Sequence, residues 1–158
     1  MEKSIKLYLD TSVWNFALEA DRPDYIITYE FLKSVNNSSE YSLVFSNLVE
    51  AEINDAPSKR KEELTKLIDI FKPVIVYSNE EAFNLAEIYI SEGLIPENYR
   101  DDAIHIATAT VNHCNFLLSW NFKHIIKARV IWGVHLINHR EGYGLIELVS
   151  PKQFLGKE

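Results

Sequence analysis

The stretch Lys6-Leu7-Tyr8-Leu9-Asp10-Thr11-Ser12 changes character at Asp10. Before it, Ile5, Leu7 and Leu9 alternate with Lys6 and Tyr8, the period of a strand. From Asp10 onward the residues are those of a turn and a helix N-cap. A strand therefore delivers an acid to the rim of a sheet, and a helix follows over about residues 13–18.

The same alternation continues downstream. Residues 24–35 read as a helix with Ile27, Phe31, Leu32 and Val35 on one stripe. Ser42-Leu43-Val44-Phe45 is a strand, and Ser46 caps a short helix through Asp55. Residues 58–71 form another helix, stopped by Pro73. Val74-Ile75-Val76-Tyr77 reads as a buried strand, and Asn79 caps a helix to Ser91 that Gly93 ends. An Ala-rich helix spans 100–113. Phe116-Leu117-Leu118-Ser119 is a strand, residues 125–138 are helical, and 145–149 is a last strand closed off by Pro151. Strands alternating with helices predict an α/β fold with a mostly parallel sheet. In such sheets ligands bind at the carboxyl ends of strands, where strand order reverses.

The chain has 158 residues, 47% of them apolar and 25% charged. With no repeat, linker or low-complexity stretch, residues 1–158 are expected to form a single domain. Acids outnumber basic residues 23 to 16, a net charge of −7. That argues against a protein that coats nucleic acid, but not against an enzyme whose acidic site takes a phosphodiester through a cation. The one cysteine, Cys114, excludes an internal disulfide and a Cys-rich zinc site. The start, Met-Glu-Lys-Ser, shows no signal-peptide pattern, and no apolar run approaches the ~18 residues of a membrane span. A cytoplasmic protein with no membrane partner is the expectation.

Four positions stand out. Asp10 ends the first strand, where an Asp also serves as a plain helix cap. In Leu48-Val49-Glu50-Ala51-Glu52-Ile53, a helical wheel places Glu52 among Leu48, Val49, Ile53 and Ala56, and Glu50 opposite. A carboxylate on a buried face needs a salt bridge or a cation, and no basic residue is near in sequence. Asp101-Asp102 opens the helix at 100–113, where acids suit the dipole. Asp102 borders the face of Ala103, Ile106, Ala107 and Ala109, whereas Asp101 lies beside Thr108 and Asn112, toward solvent. Asn121 follows the strand 116–119 as a cap or a site residue. Three carboxylates and an amide at one rim suit a hard divalent cation, Mg²⁺ or Mn²⁺. Clustered carboxylates strain a metal-free fold. Asp102→Asn or Glu52→Gln should therefore leave the metal-free protein as stable as the parent, or more so. The five histidines are scattered, His135 and His139 lack the glutamate of a zinc-protease motif, and no nucleophile elbow or phosphate loop is present.

Leu7-Tyr8-Leu9-Asp10-Thr11-Ser12, then Ser46-x-x-x-x-Ala51-Glu52, Asp102-Ala-x-His-x-Ala-x-Ala and Leu118-Ser119-Trp120-Asn121 resemble the four ordered motifs of PIN-domain proteins, nearest to the VapC-like toxins. The resemblance implies a parallel sheet sandwiched between helices, a three-layer α/β/α fold, with an acidic pocket for Mg²⁺ or Mn²⁺. It implies an endoribonuclease, the toxin of a toxin–antitoxin pair, held inactive by an antitoxin within a dimer of toxins. Asp10, Glu52 and Asp102 match the family's three core acids, as catalytic residues and metal ligands. Thr11 or Ser12 matches the hydroxyl residue after the first acid. Asn121 stands where many members carry a fourth Asp; it is read as a metal-site residue that orients a water or an acid. Lys123 or His124 is a candidate contact for RNA phosphate, against the plainer reading of an exposed helix start. The competing readings are a PIN-like module that binds RNA or protein without cutting it, and a phosphotransfer domain. The second lacks its acids: Ser12 stands where a phosphatase needs Asp, and no Asp directly follows Phe45 or Tyr77.

Overall fold

The computed structural model describes residues 5–157; residues 1–4, on which the reading of the chain's start rests, lie outside them. The described residues form five strands, β1 (Ile5–Leu9), β2 (Tyr41–Ser46), β3 (Val74–Val76), β4 (Phe116–Leu118) and β5 (Glu147–Val149). All pair in parallel in the order β3-β2-β1-β4-β5. β1 lies at the centre, with Leu7 in register with Leu43 on one side and Phe116 on the other. The chain builds outward from β1 through β2 to β3, then returns across the sheet to start β4 on the far side of β1. Strand order therefore reverses between β1 and β4, and a crevice opens beyond their carboxyl ends.

Parallel strands need crossovers, and helices supply them. On one face lie α1 (Thr11–Phe16), α2 (Tyr25–Asn36), α3 (Asn47–Asn54) and α4 (Ser58–Phe71). The other carries α5 (Glu80–Ser91), α6 (Arg100–Val111) and α7 (Ala128–Arg140). The three-layer α/β/α sandwich expected from the sequence is borne out. Covering both faces also explains Tyr8: alternation placed it opposite Leu7 and Leu9, yet all three are fully buried.

Three readings need correction. Val74–Val76 is an edge strand, not a buried one. Val74 is 57% and Tyr77 59% exposed, because a short apolar run carries no mark of whether it has one neighbour or two. The helix expected from Ile125 starts instead at Ala128; Ile125 and Ile126 are buried in the turn before it. Pro151 does not close the last strand but opens a short helix, α8 (Pro151–Phe154), with Ser150 and Gln153 in a reciprocal capping box.

Candidate functional site

Asp10 is the N-cap of α1, and its backbone N–H donates to the Leu118 carbonyl at 3.2 Å, fastening the end of β1 to the end of β4. Its side chain is 4% exposed. Oδ1 accepts from Ser12 Oγ at 2.5 Å and from the Val13 N–H at 3.3 Å, and Oδ2 accepts from Ser119 Oγ at 2.5 Å. The same two serines accept from the loop after β4: Trp120 N–H donates to Ser12 Oγ and Asn121 N–H to Ser119 Oγ, both at 2.9 Å. One carboxylate and two hydroxyls thus stitch the two turns that flank the crevice. Burial still pushes the Asp10 carboxyl above its usual range, although the charge of His105 and these donors oppose the rise.

Glu52 stands on α3, half-buried, with Val49 and Ile53 buried beside it and Glu50 exposed, as the wheel predicted. Its partner is absent from its own stretch of chain because it comes from α6. His105 Nε2 donates to Glu52 Oε1 at 2.8 Å, and Thr11 Oγ1 donates to the same oxygen at 2.8 Å. Oε2 receives no donor from the described residues and is open to solvent. Behind the imidazole, His105 Nδ1 lies 2.6 Å from the Tyr8 hydroxyl, itself 2.7 Å from Ser46 Oγ, the N-cap of α3. Burial draws the His105 pKa down, but the hydrogen bond and charge of Glu52, with the charges of Asp10 and Asp102, outweigh it and leave the ring above its ordinary value. For Glu52, burial raises the pKa, but the hydrogen bond and charge of His105 and the bond from Thr11 leave it below the ordinary value.

Asp102, in the first turn of α6, is half-buried, while Asp101 is exposed. The wheel's reason was incomplete, since Thr108, set beside Asp101, is fully buried. α6 is buried almost all round beyond its first turn, and Asp101 lies in that less covered turn. Burial first, and the charges of Asp10 and Glu52, push the Asp102 carboxyl up to about 6 against the pull of His105 and Asn121. Asn121 Oδ1 accepts from the His124 N–H at 2.9 Å, and the Asn121 side chain lies near enough to Asp102 to draw its pKa down. Asn121 thus stands beside Asp102, in place for either of the roles expected of it. Lys123 is exposed, with Nζ 5.8 Å from the centre of the Tyr99 ring. Cys114 is buried, its thiol pushed up to about 12, so no thiolate is offered.

Among the described residues no three Asp, Glu, His or Cys side chains stand close enough to enclose an ion. The expected cluster is therefore three acids around an imidazole, with Glu52 drawn to His105. Sequence reading gave His105, Tyr8 and Ser119 no role in the site, and Ser46 only that of a helix cap. The signal for His105 was present: a histidine among Ala and Ile on a buried helix face needs a partner, and it lies three residues after Asp102.

No family model and no curated protein matches the chain. Among solved structures, a chain of VapBC2 from Rickettsia felis, bound to a DNA fragment from its promoter, is similar over 92% of this chain and 98% of that one, with a TM-score of 0.57 and 16% identity. That likeness is one of fold, and it agrees with the PIN-like α/β/α architecture. No helix among the described residues is long and apolar enough to cross a membrane.

Proposed function

We propose that this chain is a metal-dependent endoribonuclease, the toxin of a toxin–antitoxin pair, working in the cytoplasm as a homodimer that an antitoxin protein restrains. The observation that carries this reading is the gathering of Asp10, Glu52 and Asp102 around His105 at the strand-order reversal, with Asp10 raised by burial and Asp102 by burial and by the charges of Asp10 and Glu52. The likeness in fold to a chain of VapBC2 supports the toxin–antitoxin part.

In donor type these side chains suit a hard cation: they offer carboxylate oxygens, Asp102 is half-open, and Oε2 of Glu52 is free, but the three acids would have to draw closer together than they stand here to enclose one. Asp10, Asp102 and Glu52 would hold Mg²⁺ or Mn²⁺. Such a cation, when bound, supplies Lewis-acid polarisation of the phosphodiester and a more acidic water. The protein's own part is positional. Ser12 and Ser119 lock the Asp10 rotamer, Asn121 aims Asp102, and His105 with Thr11 sets the direction of Glu52. Lys123, exposed beside the Tyr99 ring, offers a charge for RNA phosphate.

Cleavage of RNA with Mn²⁺ or Mg²⁺ tests the reading. The parent should cut, EDTA should stop it, and Asp10→Asn, Asp102→Asn and Glu52→Gln should be inactive. A parent that cuts nothing under any of these conditions removes the nuclease reading. One observation favours a module that binds without cutting: Asp10 and Glu52 already have internal partners. The same assay separates the two readings.

A further inference from the structure

The rim beside Asp102 carries a second feature that the acids do not explain. A cavity of about 270 Å³ is lined by Asn98, Tyr99, Arg100, Asp101 and Asp102, so one hollow touches both a site carboxylate and an aromatic ring. Tyr99 is 37% exposed. Its ring stacks on His124 with centres 3.8 Å apart, and Lys123 Nζ is 5.8 Å from its centre. His124 is 9% exposed, and its Nε2 has no partner among the described residues. Next to Asn121 a second ring, Phe122, is 52% exposed and packs edge-on against Trp120 at 6.1 Å.

Charge points the same way. Residues 103–140 contain no Asp or Glu, but four Lys or Arg and all five histidines, in a chain of net charge −7. The longest acid-free stretch of the sequence thus begins just after Asp102 and passes through Asn121 and Lys123. Of its basic residues, Lys123, Lys127 and Arg129 are exposed and can meet a phosphate backbone. Rings fixed from behind, with ammonium groups beside them, are the means by which proteins hold unpaired nucleotides, because every base has a face to stack.

We propose that Tyr99, backed by His124 and flanked by Lys123, is a stacking platform that holds one unpaired base of the RNA beside Asp102. This rests on the nuclease reading and assigns it a base-binding residue. It is tested in EDTA, where cleavage is off, by fluorescence anisotropy of a labelled oligoribonucleotide of about ten unpaired nucleotides, within the site sizes of single-strand binders. The full chain should bind this strand more tightly than the same RNA annealed into a duplex. Tyr99→Ala should weaken binding by roughly 5- to 150-fold, the measured range for loss of one stacked base. Tyr99→Trp should retain it, and Tyr77→Ala, which removes an exposed ring on the β3 edge, should change nothing. Lys123→Gln should weaken binding and reduce the salt slope by about 0.7, one single-strand phosphate. If Tyr99→Ala melts early through loss of the His124 stack, Lys123→Gln decides, since Lys123 is exposed. Parental binding by both variants, or equal affinity for duplex, overturns the platform. If the parent cleaves RNA with Mn²⁺ while these outcomes hold, the nuclease reading stands without it. A parent that neither binds nor cleaves removes both.

Discussion

Asp10 and Asp102 face one crevice from opposite sides, and the protein treats the same side chain in two ways. Asp10 is sealed in, each oxygen held by a hydroxyl whose own oxygen is tied to the opposite turn. Asp102 is half-open at a helix start, with Asn121 beside it. Both acids are raised by burial, but only Asp10 does structural work. The sealed side belongs to the central strands, whose ends parallel pairing holds at fixed spacing; the open side belongs to the first turn of a helix and a loop.

The largest expected effect tests whether the open side is part of the site at all. Asp10→Asn and Asp102→Asn should both reduce Mn²⁺-dependent RNA cleavage to background, while Asp101→Asn and Glu50→Gln should keep parental rates. An Asp101→Asn variant as inactive as Asp102→Asn would break the distinction between the inward and outward acids of that turn.

Stability should then separate the two sides. Asp10→Ala removes a helix cap and two charge-assisted hydrogen bonds, a loss of about 2–4 kcal/mol in urea unfolding. Asp102→Ala should cost less than about 1 kcal/mol, near the scale of a partly exposed site. Equal losses would mean that the stitching by Ser12 and Ser119 contributes little.

Glu52 corrects an expectation drawn from sequence. Glu52→Gln should not leave the metal-free protein as stable as the parent, because it exchanges the charged acceptor of buried His105 for a neutral one; the cost is about 1–3 kcal/mol. The folded pKa of Glu52 is lowered from 4.5 and that of His105 raised from 6.5. The pair's contribution is present above 4.5 and lost as pH falls through the folded value of Glu52. On the other side it is complete below 6.5 and lost as pH rises through the folded value of His105. The penalty of Glu52→Gln should therefore be greatest between these limits, in melting curves taken across pH. A penalty that does not vary with pH would mean the pair is held by packing and not by charge.

Asp102→Asn should run the other way in the same window, and more weakly. Its folded carboxyl is raised from 3.8 to about 6, so the contribution of the protonated form is complete below 3.8 and lost as pH rises through about 6. Metal-free Asp102→Asn should gain on the parent over that interval and equal or exceed it above. Millimolar Mn²⁺ should reverse the order by raising the parent's Tm by mass action while moving the variant little. A parent whose Tm ignores Mn²⁺ would remove the cation from the account.

Much of this was legible in the residues themselves. A period-two run ending in Asp-Thr-Ser, repeated strand–helix alternation and Ser46 before a short helix suffice for a parallel α/β sheet with Asp10 at its rim, because these signals are local. Glu52 was singled out because its helix face is apolar, and Asp102 because it borders one. The edge position of Val74–Val76 was not legible: pairing is a property of neighbours, and a strand with one partner reads like a strand with two. Nor was the engagement of Ser119, whose partner Asp10 lies 109 residues away.

The sequence by itself determined the element types, the order in which strands deliver Asp10, Glu52, Asp102 and Asn121, and the identity of the acids, since period, caps and charge act over a few residues. Only the tertiary structure decided that Glu52 pairs with His105 across 53 residues, that Asn121 comes to stand beside Asp102, and that Tyr99 and Lys123 lie close together near it. The reason is the return of the chain from β3 to β4. That crossover alone brings α6 and the loop after β4 against β1, and no local pattern records which distant carboxylate or hydroxyl a buried polar group will meet when it must find a partner.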